Sequence, residues 1–265
     1  MTPEELEKVG LRYAVDGAVA TITLDRPDVR NAQTPAMWRA LAAIGEAIED
    51  DVRVVVVRGE GHSFSAGLDR RMLDPSGADG GSGEETVAGL LALDDAAVSE
   101  TIDSYQRGFT FLRDPRFVSI AAVQGYAIGA GFQLALSCDL RVLTPDAQFC
   151  MKESALGLVP DLTGTKPLVE SVGYARALEI CATARMVGAE EAAAIGLANV
   201  VVPADQLDAT VADLAAALVA PMAGAVRETK RLLMSAASST MDEQRRLERE
   251  AQTRRFRELS RMMGG

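Results

Sequence analysis

Histidine and cysteine are scarce in this sequence of 265 residues, which contains one histidine and three cysteines. The cysteines, Cys138, Cys150 and Cys181, are far apart and odd in number, so we expect buried free thiols and no disulfide framework. The histidine, His62, stands alone, and no two cysteines have the close spacing of a zinc site. The sequence therefore predicts no structural metal site.

Positive charge is also in the minority, because 27 lysines and arginines face 38 aspartates and glutamates, a net charge of −11. This balance argues against nucleic acid or an anionic membrane surface as a partner. No apolar run approaches the roughly 18 residues of a membrane span. The acidic start, MTPEELEKVG, has no apolar signal-peptide region. We expect a cytoplasmic protein.

What the chain does contain is an alternation of strand and helix patterns. The segment 11–27 reads as a hairpin around Asp16-Gly17, and the spacing of 34–50 predicts a helix with Thr34 as its N-cap. The β-branched run within 52–61 is typical of a strand buried on both faces. This alternation predicts an α/β core.

The second half of the chain continues the pattern before turning helical. The polar, glycine-rich stretch 74–85 predicts a mobile loop, followed by a helix to about Leu112. Strands are predicted over 117–125 and 139–150. From 172 onward the pattern is mostly helical, with Asp205 as a candidate N-cap.

Two small-residue segments carry the first functional signal. In GYAIGAGFQLALSCD (125–139), three glycines open an apolar helix, where free backbone N–H groups can hold an anion or a developing oxyanion. A second segment, FSAGLDR (64–70), also follows a buried strand, so two amides could point at one carbonyl oxygen. For either motif alone, tight strand–helix packing is the favoured explanation, because glycine-rich turns are common in α/β folds. The dinucleotide-binding and Walker A glycine patterns are both absent.

Four segments stand in the order found in the crotonase superfamily, the enoyl-CoA hydratase/isomerase family. They are RPDVRNA (26–32), VVVVRGEGHSFSAGLD (54–69), VQGYAIGAGFQLALSCDLRV (123–142) and KESALGLVPDLTGT (152–165). The chain resembles this family from about Leu11 to near Ala251. The resemblance implies an α/β fold, a ClpP/crotonase-like spiral of ββα units in a core domain (1–200). A helical C-terminal region (201–265) would form a homotrimer or a dimer of trimers.

The resemblance also implies an acyl-CoA thioester substrate and an oxyanion hole made by the backbone amides of Leu68 and Ala130. Asp69 is expected to brace its own turn, and the segment 74–100 to line the acyl pocket. No cofactor is expected beyond the coenzyme A of the substrate. The residues expected to contact substrate or coenzyme A are Val29, Arg30, Ala32, Ser65, Ala66, Gly67, Arg70 and Gly129.

The acid–base residues point to one reaction within the family. The family's hydratases carry two glutamates; here the first position is Gln133 and the second is Glu153. An amide cannot exchange a proton as an acid or base. Asp161, eight residues after Glu153, matches an aspartate of the dienoyl-CoA isomerases, although it could instead cap a helix. These three residues are the predicted catalytic set, and they favour isomerisation over hydration.

Three departures from the family pattern qualify this resemblance. Gln33 and Thr34 are polar where the family is usually apolar, and Thr163-Gly164 replaces a glycine pair. The final family helix, which closes over the coenzyme A of a neighbouring subunit, looks missing or truncated.

The sequence therefore predicts an enoyl-CoA double-bond isomerase with Glu153 as proton shuttle. Two alternatives stay open at this point. One is a hydratase that uses Glu153 while Gln133 orients water, and the other is a non-catalytic acyl-CoA binder.

Overall fold

The computed structural model describes residues 1–73 and 85–264. Within those ranges the strands are β1 (Leu11–Asp16), β2 (Val19–Leu24), β3 (Val54–Gly59), β4 (Val118–Val123), β5 (Tyr126–Ile128), β6 (Leu140–Leu143), β7 (Gln148–Cys150), β8 (Val187–Gly188) and β9 (Val200–Val201). The helices are α1 (Pro3–Lys8), α2 (Pro35–Ala47), α3 (Val87–Leu91), α4 (Asp95–Thr110), α5 (Ala130–Ser137), α6 (Thr165–Val172), α7 (Tyr174–Thr183), α8 (Ala189–Ala194), α9 (Leu207–Val219), α10 (Ala223–Ala236) and α11 (Met241–Gly264). Most of the predicted mobile loop, 74–84, lies outside the described residues.

The main sheet has the strand order β1-β2-β3-β4-β6-β9. The predicted hairpin is confirmed, with β1 and β2 antiparallel and Asp16 opposite Val19. The other pairs of this sheet are parallel. Alternate residues of β3 face two apolar clusters: Val55 and Val57 lie in the cluster that contains α2, and Val54 and Val56 in the one that contains α9. Burial on both faces explains the unbroken β-branched run, and the predicted α/β core is confirmed.

A smaller sheet, β5-β7-β8, lies beside the main one. The single strand predicted over 139–150 is wrong in this respect, because the segment divides into β6 and β7 in different sheets. A turn separates them, in which the Ala147 N–H donates to the Thr144 carbonyl at 3.0 Å. Isolated parallel bridges, Ser65 to Ala127 and Gln33 to Leu68, then join three chain segments at the edge of the small sheet.

The helices α2 and α4 pack against each other next to these bridges. Thr34 is the N-cap of α2, as predicted, accepting from the Met37 N–H at 3.3 Å. The helices approach so closely that a Cβ on Gly108 would lie 2.2 Å from the Trp38 carbonyl oxygen. The rings of Trp38 and Tyr105 lie 4.9 Å apart between centroids. This contact fixes one wall of the cavity described below.

The C-terminal helices pack on the sheet and on one another. Asp205 is not the N-cap of α9; it lies in the 3-10 turn Ala204–Gln206, and α9 begins directly after it. The prediction was wrong because the turn leads straight into the helix, its Gln206 N–H being satisfied by the Pro203 carbonyl at 2.9 Å. The ammonium group of Lys230 on α10 binds Asp139 at 2.6 Å and the carbonyls of Asp114 and Phe117 at 2.8 Å.

α11 is the last helix of the described residues, and the truncation of the final family helix stays a prediction. α11 spans 24 residues, and Phe256 on it is 62% exposed. Within the described ranges, no single helix is long and apolar enough to cross a membrane. One pair of helical segments, Ala204–Val219 and Ala223–Ala236, meets the length and composition requirement jointly, with a bend of 101° between them.

Candidate active site

A cavity of about 1450 Å³ opens between α3, α4, the bridged segments and the loop after β7. Ten of the thirteen predicted site residues line it: Arg30, Ala66, Gly67, Leu68, Arg70, Gly129, Ala130, Gln133, Glu153 and Asp161. Val29, Ala32 and Ser65 do not. The part of 74–100 that the structure describes contributes seven lining residues: Val87, Leu90, Leu91, Leu93, Asp95, Val98 and Ser99.

The first predicted oxyanion donor is the N–H of Leu68. The Gly67 carbonyl accepts a hydrogen bond from the Gln33 N–H at 2.7 Å. A trans peptide is planar, with its C=O and N–H in opposite directions, so the Leu68 N–H points away from Gln33. Across the described residues, no acceptor binds this N–H. It is therefore available to a ligand in the cavity.

The second predicted donor is the N–H of Ala130, at the first position of α5. Gly129 precedes it at φ 51° and ψ −117°, a conformation that L side chains rarely adopt. The Gly129 carbonyl accepts from the Gln133 N–H at 2.9 Å, and no described residue accepts from Ala130. This helix N-terminus therefore presents a free amide with the partial positive charge of the helix behind it.

Close backbone approach brings the two donors together and explains the glycines. The Ser65 N–H donates to the Tyr126 carbonyl at 2.8 Å, and the Ile128 N–H to the Ser65 carbonyl at 3.0 Å. A Cβ on Gly67 would lie 2.3 Å from the Ile128 oxygen and 3.5 Å from the Ala130 nitrogen. One on Gly131 would lie 2.6 Å from the Ser65 oxygen. Glycine is thus required for the two segments to lie side by side.

Gln133 is completely buried, and the surrounding hydrogen bonds fix its orientation. Its Oε1 accepts from the backbone N–H groups of Leu162 at 2.9 Å and Gly164 at 3.2 Å. Two donors on one side require the amide oxygen there, so the nitrogen faces the other way. The Nε2 donates to Glu153 Oε1 at 2.7 Å. The amide therefore holds the one carboxylate beside it.

Glu153 is 9% exposed, and its second oxygen, Oε2, makes no hydrogen bond to any described residue. Burial raises the pKa of this carboxyl, and the negative charge of Asp161 raises it further, while the bond from Gln133 lowers it. A buried carboxylate with one free oxygen and a raised pKa is a stronger base than an exposed glutamate.

Asp161 faces the same cavity but is not the helix cap that the sequence left open. α6 begins at Thr165, and its N-cap is Gly164. The Asp161 carbonyl accepts from Gln106 Nε2 at 2.7 Å, which ties the loop to α4. Burial raises the pKa of the Asp161 carboxyl. The carboxyl groups of Glu153 and Asp161 therefore face the same cavity.

Basic side chains lie on the cavity wall. Arg30 stacks 5.5 Å from the centroid of Tyr126, and Arg70 and Lys152 also line the cavity. Asp69 pairs with Arg26 at 3.0 Å and Arg71 at 2.9 Å, so it braces its loop as expected. Hydrogen bonds from Arg71 lower the pKa of this carboxyl to about 2.

Three residues that were expected to contact the ligand, Val29, Ala32 and Ser65, lie outside the cavity lining. Ser65 is fully buried, and its hydroxyl donates to the Asn31 carbonyl at 2.8 Å. Ala32 is 9% exposed and Val29 45% exposed. His62 is exposed and does not line the cavity. Ser65 therefore supports the loop from beneath.

Trp38, Tyr105 and Gln106 are among the wall residues that sequence reasoning missed. With 4% exposure, Trp38 belongs to both the core and the cavity wall. A helical pattern shows only that one face is buried, and it does not show whether a core or a ligand covers that face. In the part of the chain that the structure describes, no group of three or more His, Cys, Asp or Glu residues is placed to hold a metal ion.

Comparison with known proteins agrees with this geometry. Residues 14–265 match the family model described as enoyl-CoA hydratase/isomerase. A crystal structure of a "putative enoyl-CoA hydratase from Thermobifida fusca YX in complex with acetoacetyl-CoA" is 54% identical, with a TM-score of 0.92 over 97% of this chain and 98% of that one. A complex of the same description with CoA is 52% identical, with a TM-score of 0.93 over 98% of each chain.

A more distant relative has a similar name. The probable enoyl-CoA hydratase of Rhizobium meliloti (strain 1021) is 33% identical over 199 residues, covering 74% of this chain and 70% of that protein. The motifs, the α/β architecture and these likenesses lead to one conclusion. The chain belongs to the enoyl-CoA hydratase/isomerase family of enzymes, in the crotonase superfamily, and has the crotonase fold.

Proposed function

We propose that this enzyme moves the double bond of an enoyl-CoA thioester, with Glu153 carrying the proton. The observation that carries the proposal is the contact between Gln133 Nε2 and Glu153 Oε1 at 2.7 Å. An amide occupies the place of the second acid, and its oxygen is committed to two backbone donors. Glu153 is therefore the carboxylate that the Gln133 amide holds in the site, and one carboxylate is sufficient for a proton shuttle.

The substrate would bind with its thioester oxygen between the Leu68 and Ala130 amides. Arg30, Arg70 and Lys152 supply positive charge to the coenzyme A phosphates in a chain that is otherwise acidic. The complexes of the Thermobifida fusca protein with CoA and acetoacetyl-CoA support this ligand class.

The proposed step conserves all atoms of the substrate. Glu153 Oε2 takes a proton from the α carbon of a 3-enoyl thioester, and the electron pair of that C–H bond delocalises onto the thioester oxygen. Two amide hydrogen bonds stabilise the resulting dienolate. Glu153 then returns the proton to the γ carbon, leaving a 2-enoyl thioester. No water is consumed.

The raised pKa of Glu153 suits this role, since a stronger base removes a carbon-bound proton more readily. The carboxyl must be ionised to act, so the rate should rise with pH until it passes this raised pKa. Asp161 lies near enough for its charge to raise that pKa, and we assign it as the partner of Glu153.

Hydration is the second candidate, because the named relatives are mostly called hydratases. Glu153 would then activate a water that Gln133 orients. Hydration adds water and gives a 3-hydroxyacyl product, so the two reactions differ in their products.

The test is NMR of the protein with 2-enoyl- and 3-enoyl-CoA in heavy water. We expect deuterium entry with double-bond migration and no 3-hydroxyacyl-CoA; appearance of that product from the wild-type enzyme would favour hydration. Glu153→Gln should lose exchange by at least about a hundredfold while CoA binding, measured by calorimetry, persists. An active Glu153→Gln variant would refute the assignment of the base.

A gain-of-function variant tests the role of Gln133. In Gln133→Glu, two carboxylates about as close as the present 2.7 Å contact would share one proton, giving the site an acid and a base. We expect it to form 3-hydroxyacyl-CoA from 2-enoyl-CoA. The control is Ser99→Asp, which adds a carboxylate elsewhere on the cavity wall and should not.

A further inference from the structure

Gln33 is a fully buried amide that the proposed chemistry does not use. The sequence marked it as polar at a position where the family is usually apolar. A buried amide must find hydrogen-bond partners or destabilise the fold, so its partners show what it does.

The side chain of Gln33 joins the cavity wall to the loop that carries Leu68. Its Oε1 accepts from Trp38 Nε1 at 2.8 Å, and its Nε2 donates to Ser65 Oγ at 3.0 Å. Ser65 Oγ in turn accepts from the Gly67 N–H at 3.1 Å. A continuous chain of hydrogen bonds therefore runs from the indole N–H of Trp38 through Gln33 and Ser65 to the N–H of Gly67, the residue before Leu68.

The backbone of Gln33 brackets Leu68 on both sides. Its N–H donates to the Gly67 carbonyl at 2.7 Å, and its carbonyl accepts from the Asp69 N–H at 2.8 Å. The first bond sets the plane of the Gly67–Leu68 peptide and so the direction of the Leu68 N–H. One residue thus fixes this amide through its main chain and anchors the loop beneath it through its side chain.

The other end of the chain of bonds lies where an acyl group would pack. Trp38 lines the cavity, and its ring contacts Tyr105 and Phe109 at centroid distances of 4.9 and 6.2 Å. A shift of the indole would move its N–H relative to Gln33, and both side chains are too buried for water to replace the bond.

We propose that Gln33 is a positioning residue for the Leu68 amide and couples that amide to the Trp38 wall of the acyl pocket. This inference rests on the proposed role of Leu68 as an oxyanion donor. It predicts that the acyl wall and the polarisation of the thioester carbonyl are linked through one amide side chain.

The test measures the carbonyl directly. Saturated hexanoyl-CoA labelled with ¹³C at the thioester carbon is bound to the protein, and the infrared carbonyl stretch is compared with that of the free ligand. Hydrogen bonds from the amides lower this frequency. The rate of α-proton exchange in heavy water and the Kd for CoA are measured on the same samples.

Gln33→Met keeps the length of the side chain and removes both hydrogen bonds. We expect a smaller downshift and an exchange rate about tenfold lower, less than the loss of a whole donor, with the Kd for CoA within about twofold. Trp38→Phe removes the indole N–H together with the five-membered part of the ring system, and it should lower exchange about threefold. The double variant should be no worse than Gln33→Met alone, because both changes break one chain of bonds.

Several outcomes would overturn the inference. An unchanged downshift in folded Gln33→Met removes the positioning role, and a parallel loss of CoA affinity shows a general structural role. If the effects of Gln33→Met and Trp38→Phe on the exchange rate add, the proposed coupling is refuted. If Gln33→Met does not fold, a Trp38→Phe variant with the wild-type downshift and exchange rate refutes the coupling instead. Ser119→Ala, a buried hydroxyl bonded to Asp139, is the control and should lower stability without changing the downshift.

The wild-type spectrum separates this inference from the proposed function. No downshift in the wild type would refute the oxyanion role and the inference together. A downshift without double-bond migration would refute the isomerase proposal and leave the positioning role of Gln33 standing.

Discussion

Gly67→Ala is the substitution for which the structure gives the clearest consequence. Gly67 has φ +85°, and an added Cβ would lie 2.3 Å from the Ile128 carbonyl oxygen. The oxygen belongs to the backbone and an alanine Cβ has no rotamer to change, so only a shift of the main chain can relieve the contact. The two segments that carry the proposed oxyanion donors must separate by about 1 Å to restore an ordinary contact of roughly 3.4 Å.

The magnitude has two parts. The positive φ alone costs an alanine about 1–2 kcal/mol. The displacement would misalign one proposed oxyanion donor, a loss worth about 10²–10³ in rate. We therefore expect α-proton exchange to fall by about a hundredfold or more, with a modest loss of thermal stability.

A matched control isolates the collision from the strain. Gly17, in the β1–β2 turn, has φ +56° and no atom within 4 Å of an added Cβ. Gly17→Ala should lose similar stability and keep its exchange rate within about twofold. If Gly67→Ala exchanges as fast as Gly17→Ala, close approach of the two segments is not what aligns the donors.

Two further predictions concern stability and pH. Glu153 has a raised pKa, so the folded state holds this proton more tightly than the unfolded state, and its contribution to stability is lost as pH rises above about 4.5. Glu153→Gln should match the wild type at pH 4 and exceed it by about 1–3 kcal/mol at pH 8 in urea unfolding; equal stability at pH 8 would contradict this. Asp69 has a lowered pKa, so its contribution is present above about 3.8 and lost as pH falls towards 2. Asp69→Asn should cost about 1–2 kcal/mol at pH 7, since Arg71 is half exposed, and the cost should shrink as pH falls through about 2.

Periodicity predicted most of the fold because each element has a local signature. The hairpin follows from Asp16-Gly17, α2 from the Thr34 cap, and β3 from its β-branched run. In 139–150 the turn at Pro145-Asp146 was missed, and the division of the two strands between different sheets depends on tertiary pairing, which has no local signature. The prediction of Asp205 as an N-cap failed for a different reason, because a cap depends on where the preceding turn ends.

The site was predictable as far as its motifs reach. Leu68, Ala130 and Glu153 were placed by short segments, and the structure brings them to one cavity. The orientation of Gln133 could not be predicted, because it depends on backbone donors about 30 residues away. Their functional roles, the trimer or dimer of trimers, the domain division at 200 and the cytoplasmic location stay predictions.

The bonds from Leu162 and Gly164 to the Gln133 amide oxygen also bear on the order in which the molecule is built. During synthesis, α5 leaves the ribosome before Leu162 and Gly164, whose N–H groups donate to the Gln133 amide oxygen, have been added to the chain. Burying that oxygen without a hydrogen-bond donor would cost about 1–3 kcal/mol, so we expect the nascent helix to stay loosely packed. The loop 162–164 therefore fixes the Gln133 amide only after the rest of the site has been synthesised. A chain that ends before residue 162 contains both proposed oxyanion segments and Glu153, but it lacks the N–H groups that orient the Gln133 amide towards Glu153.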